Sequence, residues 1–300
     1  MNNIGTDSEP RRGRQLLVGL AIILLAAATA GAQSYSSIDV PGAIDTSPFG
    51  INDRGDVVGR WDDADFNTHG FLLRHGSFTT IDVPGAVFTA PRFINNLGHV
   101  AGRYVDADGV PRGFVLKNGK FTTIDAPGAV DTRARSIDDF GRITGNYTRD
   151  DGIEHGFLID HSGFHTIDVP GSSSTDVWQI NDLGLMVGDF TGWDGLVHGY
   201  TLKNGRFTQV DYPGPYETSI RGIDLLGRLT GLYASGDGSS FGLIVGPRGA
   251  MTSFEVPGST PGSTAAFAIN ALGIVVGTWT DADGAGRGFA RVPSHQRDDD

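Results

Sequence analysis

Residues 94–128 read INNLGHVAGRYVDADGVPRGFVLKNGKFTTIDAPG, and this stretch decides the fold because its pattern returns along the chain. Its first marker is an Ile-Asn or Ile-Asp pair followed by two glycines that are four residues apart. Successive copies start 43 residues apart, except for a last step of 46. The copies begin at Ile51, Ile94, Ile137, Ile180, Ile223 and Ile269. A fixed period of this length indicates a chain built from repeated supersecondary units.

Two further markers keep the same phase. The first is the segment Ile-Asp-x-Pro-Gly, whose acidic residues are Asp39, Asp82, Asp125, Asp168, Asp211 and Glu255. The second is a glycine followed by an aromatic residue, with Gly-Leu in the fifth unit, at 70–71, 113–114, 156–157, 199–200, 242–243 and 288–289. Three markers in one phase predict six copies of a single structural unit.

Each unit is predicted to contain four short antiparallel strands. In the second unit these strands are expected at 92–95, 99–105, 113–116 and 120–124. The segments between them contain Asn-Gly and Asp-Gly, which supply the positive φ angles of tight hairpins. Four strands in about 43 residues are typical of a propeller blade. The chain is therefore predicted to be an all-β, six-bladed β-propeller.

The two ends of the repeat region predict how the ring closes. A lone strand at 34–40 precedes the first full unit, and the last unit stops after its third strand at 288–292. Pairing of these two strands would complete the sixth blade and remove an open sheet edge.

Composition excludes several classes of protein. The 300 residues include 45 Gly and no Cys, with a formal net charge of −12. Glycine at this level disfavours helix bundles, and without Cys the chain has neither disulfides nor thiolate metal sites. The acidic charge argues against binding to nucleic acid, and against membrane contact beyond a signal peptide.

The chain divides into three segments. Residues 1–32 have the pattern of a secretory signal peptide, with three arginines before an uncharged run at 16–30, although retention as an anchor stays open. The propeller is expected at 33–294, and an acidic C-terminal tail at 295–300. Such a protein would be secreted, periplasmic or bound at the cell surface, and it is expected to be a monomer.

These motifs resemble the HAF family of probable extracellular repeats. The similarity rests on the His/Arg-Gly-Phe step, the Ile-Asn-x-x-Gly-x-x-x-Gly segment and the Phe-x-x-Ile-Asp-x-Pro-Gly segment, and it covers about residues 34–292. Gly replaces the Ala of the family's His-Ala-Phe core. The resemblance implies bacterial export and a repeat fold, and it transfers no catalytic residue.

Several residue patterns imitate catalytic or metal sites. Residues 238–242 match the Gly-x-Ser-x-Gly elbow of hydrolases, but the match enters a strand instead of a helix. The Asp-x-Asp-Gly turns at 106–109 and 281–284 resemble pieces of a calcium loop, yet the glutamate that an EF-hand requires is missing. Single histidines recur at His69, His155 and His198 and are expected to be structural. Neither a cofactor nor a metal is predicted.

The predicted ligand site lies where the repeat varies. Two residues before the recurrent isoleucine, the units carry Phe49, Arg92, Arg135, Trp178, Arg221 and Phe267. Two residues earlier again, the third and fourth units carry Arg133 and Asp176. The first strand of a blade lines the channel, so three arginines and three aromatic residues there favour a carboxylated or sugar-like ligand. The alternative is that these arginines form inter-blade ion pairs with the aspartates of the Ile-Asp-x-Pro-Gly turns.

Two functions follow from this sequence. The first is a non-catalytic binding module for a glycan, a peptide or an envelope protein. Any ligand is expected on the face that carries the Pro-Gly loops and the Asp-Gly hairpins, which are predicted to be longer than the Asn-x-x-Gly and Asn-Gly turns. The alternative is a carbohydrate-active hydrolase or lyase that uses carboxylates in the propeller funnel. The absence of a convergent catalytic set favours the binding module.

Overall fold

The computed structural model describes residues 33–294. The predicted signal peptide, 1–32, and the predicted acidic tail, 295–300, lie outside these residues. The described chain folds entirely into strands and turns, which confirms the all-β prediction. Within 33–294 no helix is long and apolar enough to cross a membrane.

Six four-stranded meanders make up the structure, and each is named here by its order in the chain. The first unit contains β2 Asp45–Ile51, β3 Val57–Asp62, β4 Thr68–Arg74 and β5 Ser77–Ile81, and the second contains β6 Phe88–Ile94, β7 Val100–Val105, β8 Pro111–Lys117 and β9 Lys120–Ile124. The third unit contains β10 Asp131–Ile137, β11 Ile143–Thr148, β12 Glu154–Asp160 and β13 Gly163–Ile167. The fourth contains β14 Ser174–Ile180, β15 Met186–Thr191, β16 Val197–Lys203 and β17 Arg206–Val210. The fifth unit contains β18 Glu217–Ile223, β19 Leu229–Ala234, β20 Ser240–Val245 and β21 Met251–Phe254. The sixth contains β22 Ala265–Ile269, β23 Val275–Thr280 and β24 Gly286–Val292, and its fourth strand is β1 Ser34–Ile38 from the other end of the described chain. Neighbouring strands within each unit pair antiparallel. This arrangement is a β-propeller with four-stranded blades.

Both ends of the chain contribute to one sheet. Strand β1 pairs antiparallel with β24, with Ser34 opposite Val292 and Ile38 opposite Gly288. The sheet therefore runs β1-β24-β23-β22. The first and second units touch through one parallel pair, Thr68 and Phe88, at the seam between them. The first strand of the second blade is longer than the sequence predicted: β6 begins at Phe88, four residues before the expected start.

The Gly-aromatic marker and the second glycine of the Ile-Asn marker meet inside each blade. Gly145 lies opposite Phe157 on the neighbouring strand. A Cβ atom at Gly145 would lie 2.0 Å from the backbone oxygen of Arg133 and 2.9 Å from the Phe157 ring. Only glycine fits at this close approach, so the two markers are two halves of one packing contact.

The Ile-Asn marker ties each blade to the next. In four units the Asn side chain donates from Nδ2 to a backbone oxygen of the following unit: Asn52 to Asn95 at 3.1 Å, Asn95 to Asp138 at 2.8 Å, Asn181 to Asp224 at 3.0 Å and Asn270 to Asn52 at 3.0 Å. The last bond joins the sixth unit to the first and so closes the ring.

Two units have Asp in place of this Asn, and a carboxylate cannot donate. In both, the residue four positions later is arginine, which supplies the missing donor. Arg142 pairs with Asp138 and donates from Nη2 to the backbone oxygens of Asn181 at 3.1 Å and Asp182 at 3.0 Å. Arg228 does the same for Asp224, donating to Asn270 at 3.3 Å and Ala271 at 2.7 Å. All six seams are thus hydrogen-bonded at this level.

The core lies between the blades. One cluster combines Val58 and Ile81 of the first unit with Ile94 and Phe114 of the second. Another combines Ile38 and Val276 of the closing sheet with Ile51 and Phe71 of the first unit. Each blade buries both faces against its neighbours, because a single meander cannot cover its own apolar side chains.

Strand alternation gives the ring two faces. The face called here the Pro-Gly face carries the Ile-Asp-x-Pro-Gly loops and the hairpins between the second and third strands of each blade. The opposite Asn-turn face carries the turns after the Ile-Asn marker and the turns between third and fourth strands. The expected difference in hairpin length holds in part: the hairpin at 106–110 is longer than the two-residue turn at 118–119, but it is no longer than the five-residue Asn turn at 95–99. The Pro-Gly loop at 125–130, with six residues, is longer than both.

Candidate functional site

Six predicted site residues meet in one layer of the central channel. This arginine–aromatic layer consists of Phe49, Arg92, Arg135, Trp178, Arg221 and Phe267. The Cζ atom of Arg92 lies 4.1 Å from the centroid of the Phe49 ring, and that of Arg135 lies 3.8 Å from Trp178. Arg221 lies between Trp178 at 4.6 Å and Phe267 at 4.9 Å. Cation–π contacts of this kind stabilise arginines away from bulk water.

The layer closes the channel. Phe49 and Phe267 meet edge to face, with ring centroids 5.0 Å apart. The six side chains and Phe93 leave a cavity of about 20 Å³, which holds about one water molecule. A sugar ring does not fit within the layer, so a ligand in the channel must bind on one side of it.

The wall of the channel on the Pro-Gly side is lined by variable residues of the first two strands. Arg133 and Asp176, which the sequence singled out, lie directly opposite Asn146 and Asp189 on the second strands. The equivalent residues in the other units are Arg60, Arg103, Leu232 and Thr278. These second-strand residues were not predicted from the sequence. A sequence pattern does mark them, because each directly follows the second glycine of the Ile-Asn marker.

One half of this wall is acidic. Arg135 donates from Nη2 to Asp176 Oδ2 at 2.8 Å and from Nε to Asn146 Oδ1 at 3.0 Å. Trp178 Nε1 donates to Asp189 Oδ2 at 2.8 Å, and Ser219 also donates to that oxygen. Burial, followed by the negative charge of Asp176, raises the pKa of Asp189 to about 6. Two aspartates opposite one another on paired strands repel each other, which accounts for the second effect.

Glu154 extends the acidic half. It begins the third strand of the third blade and accepts a hydrogen bond from Asn146 Nδ2. Burial and the nearby charge of Asp176 raise its pKa above the ordinary glutamate value, although Arg133 and Arg135 oppose that rise.

The other half of the wall is basic: Arg60 pairs with Asp45 and Asp62, but Arg92 and Arg103 lack acidic partners. Within residues 33–294, no carboxylate lies within ion-pair distance of Arg92 or Arg103, whose Nε atoms are buried without a hydrogen-bond partner. Burial and repulsion from Arg135 and Arg103 lower the pKa of Arg92 well below its usual value. The guanidinium of Arg103 lies 4.7 Å from the centroid of the Phe88 ring. An anion bound here would gain charge-assisted hydrogen bonds that the protein itself does not supply.

The expected inter-blade pairing of the layer arginines with the turn aspartates is wrong. Those aspartates pair with the residue before the Gly-aromatic marker of their own blade. The distances are 2.8 Å for His69–Asp82, 2.7 Å for Arg112–Asp125, 3.0 Å for His155–Asp168 and 2.9 Å for His198–Asp211. The expected structural role of the three histidines is confirmed by these contacts.

The remaining sequence motifs are turns. Ser239 lies in the hairpin between β19 and β20, where its backbone N–H donates to Asp237 at 2.9 Å. Asp106 accepts the N–H groups of Asp108 and Val110 within its own turn. In the part of the chain that the structure describes, no group of three or more acidic or histidine side chains is placed to hold a metal ion.

Comparison with solved structures supports the fold. The fungal lectin of Aleuria aurantia, described as a six-bladed β-propeller with a novel mode of fucose recognition, matches with a TM-score of 0.53 and 9% identity, over 88% of this chain and 100% of the lectin. The SapL1 lectin in complex with α-methyl fucoside matches with a TM-score of 0.55 and 13% identity, over 83% and 93%. TolB from Acinetobacter baumannii matches with a TM-score of 0.57 and 13% identity, over 81% of this chain and 64% of TolB.

At these identities the likeness shows the β-propeller fold alone. No family model matches the chain, and no curated protein matches it. The HAF resemblance is therefore unconfirmed.

Proposed function

We propose that this protein is an exported, six-bladed propeller of HAF-type repeats that acts as a non-catalytic binding module for a small anionic sugar. The observation that carries this proposal is that Arg92 and Arg103 lie beside the rings of Phe49 and Phe88, with buried Nε atoms and, within residues 33–294, without an acidic partner. Sugars bind proteins through stacking on aromatic rings and through planar hydrogen-bonding groups. A sugar acid has a ring that can stack on the aromatic side chains of this half of the channel wall and a carboxylate that can accept hydrogen bonds from its arginines.

The closed layer and the wall above it define where the ligand lies. The sugar binds on the Pro-Gly side, with its carboxylate toward Arg92 and Arg103 and its ring over Phe88. Fucose-binding lectins share this fold, which supports the use of such a scaffold for a glycan. The acidic rim of the same face disfavours a long polyanion.

Calorimetric titration with glucuronate, N-acetylneuraminate and neutral glucose tests the proposal. We expect the acids to bind and glucose to bind at least about tenfold more weakly, since a charge-assisted pair of hydrogen bonds is lost. Arg103→Ala should weaken acid binding at least about tenfold while leaving the melting temperature unchanged. Arg112→Ala is the matched control, because Arg112 lies on the same blade but pairs with Asp106 and Asp125. Equal affinities for Arg103→Ala and the parent would refute this site.

A second candidate function rests on the acidic half of the wall. Asp176 lies near enough to Glu154 and to Asp189 to raise the pKa of each, and an aspartate whose pKa is about 6 suits a general acid. This arrangement supports a carbohydrate-active hydrolase or lyase with Asp189 as the acid. A screen on acidic polysaccharides separates the functions: turnover by the parent that disappears in Asp189→Asn would replace the binding-only view.

A further inference from the structure

Five exposed apolar side chains form a ring on the Asn-turn face. They occupy one repeat position, the residue before the first glycine of the Ile-Asn marker. This apolar crown consists of Leu97, Phe140, Leu183, Leu226 and Leu272, which are 59%, 76%, 64%, 62% and 63% exposed. Arg54 occupies the position in the remaining unit. Solvent-exposed apolar residues that repeat in one ring indicate an interaction surface.

The turn itself does not require these side chains. In the crown, the backbone N–H of Leu226 donates to Asp224 Oδ1 at 2.9 Å, and that of Leu272 donates to Asn270 Oδ1 at 3.1 Å. Arg54 makes the same bond to Asn52 at 3.0 Å with a charged side chain. The turn therefore forms equally well without an apolar residue, and its folding does not explain the crown.

Crown residues can reach a flat surface together. Equivalent turns of a propeller are related by rotation about the channel axis, so they lie at one height on one face. Each crown residue is followed by a glycine with positive φ, such as Gly98 at +81°, and the chain turns back there. The apolar side chains are thus the outermost groups of the inner turns.

The same face collects the lysines of the described chain. Lys117, Lys120 and Lys203 all flank turns between third and fourth strands, and exposed Arg206 and Arg248 lie in or beside the same set of turns. Three acidic residues of this face, Asp56, Asp138 and Asp224, are buried and paired with arginine. Asp53, Asp139, Asp160 and Asp182 stay partly exposed. Most of the other acidic residues lie on the opposite, Pro-Gly face.

We propose that the Asn-turn face docks on the surface of an anionic phospholipid bilayer. A planar ring of apolar side chains with lysine and arginine around it matches the boundary between headgroups and acyl chains. The expectation of no membrane contact rested on the net charge of −12, which averages two unlike faces. A second copy of the chain fits this face less well, because two such faces would oppose their cations.

The test uses the lack of cysteine in the chain to place one fluorescent label. An environment-sensitive dye is attached to Leu226→Cys in the crown or, as the matched control, to Phe66→Cys, where an 80% exposed Phe lies on the opposite face. We expect vesicles of phosphatidylcholine with phosphatidylglycerol to shift the emission of the crown label to the blue and to leave the control label unchanged. This comparison separates the crown from any contact made by residues 1–32, which both proteins share.

Two further changes test the chemistry. Lys203→Glu with Arg206→Glu, or added salt, should weaken vesicle binding of the crown-labelled protein at least about tenfold, since each basic residue near an anionic surface contributes a several-fold factor to the affinity. Leu183→Ser with Leu272→Ser should weaken it at least about tenfold. An emission shift that depends on protein concentration without vesicles would assign the crown to self-association and overturn the proposal. No shift with vesicles, or equal shifts for both labels, would also overturn it.

Discussion

At the scale of single residues, every seam between blades keeps a side-chain hydrogen-bond donor, but the residue that supplies the donor differs between units. Asn52, Asn95, Asn181 and Asn270 each donate an amide hydrogen across a seam, and Arg142 and Arg228 replace that donor where the Asn is Asp. Position 138 tolerates a carboxylate because position 142 carries the cation. If all six units carried Asn at the first of these positions, the repeats would not reveal the coupling between the two positions.

The coupling between positions 138 and 142 predicts that substitutions at these positions have non-additive effects on the free energy of unfolding. Arg142→Leu leaves the buried Asp138 carboxylate without its cation and removes the seam bonds, so we expect a loss of about 2–3 kcal/mol in the free energy of unfolding. Asp138→Asn combined with Arg142→Leu copies the natural pair Asn181 and Leu185 and should recover most of that loss. Urea unfolding of the parent, both single variants and the double variant measures the coupling. A double variant no more stable than Arg142→Leu would contradict it.

At the scale of strands and loops, one ion pair ties the third strand of a blade to the following Pro-Gly loop. The cation is histidine in three units, as at His69 and His198, and arginine in the second unit, at Arg112. Burial lowers the pKa of His69, but its bonds to Asp82 and Asp63 outweigh burial and raise the pKa above 6.5. The same balance, with Asp211 and Asp194, raises the pKa of His198.

These shifts predict how stability depends on pH. A histidine whose pKa is raised in the folded state stabilises the protein fully below the unfolded value of about 6.5, and this contribution disappears as the pH rises through the folded pKa. We therefore expect the melting temperature to fall as the pH rises above about 6.5. His69→Arg with His198→Arg installs the residue that the second unit uses at this position and should flatten that fall. Parallel curves for parent and variant, followed by circular dichroism, would exclude these histidines as the cause.

At the scale of the whole molecule, the first and last strands share one blade. Strand β1 covers the outer edge of β24, and the cluster around Ile38 and Val40 packs against Ile51 and Phe71 of the first unit. Ring closure therefore depends on a five-residue strand separated from its partner by almost the whole repeat region. Without it, β24 would expose unpaired backbone groups and apolar side chains.

Deletion of residues 33–41 tests this closure. We expect a lower melting temperature and aggregation through the exposed edge of β24, because an unpaired strand edge is a template for pairing with other chains. Deletion of residues 295–300 is the control, since it shortens the chain without removing a described strand. A 33–41 deletion that melts like the parent and stays monomeric by light scattering would refute closure by β1.

The repeat period by itself determined the strand count, the turn positions, the four-stranded unit and the pairing of the two ends. The strand count, the turn positions and the four-stranded unit depend on contacts within about 43 residues and on turn residues that impose their own backbone angles. The pairing of the ends follows instead from the unpaired strand that each end of the repeat region leaves. Only the tertiary structure decided which side chains meet across the seams. The register of neighbouring blades places Arg135 on Trp178 and Asp176, fills the channel between Phe49 and Phe267, and leaves Arg92 and Arg103 without acidic partners. The opposition of an acidic face and a face with lysines and an apolar crown arises in the same way, because antiparallel strands deliver alternate turns to opposite sides of the ring.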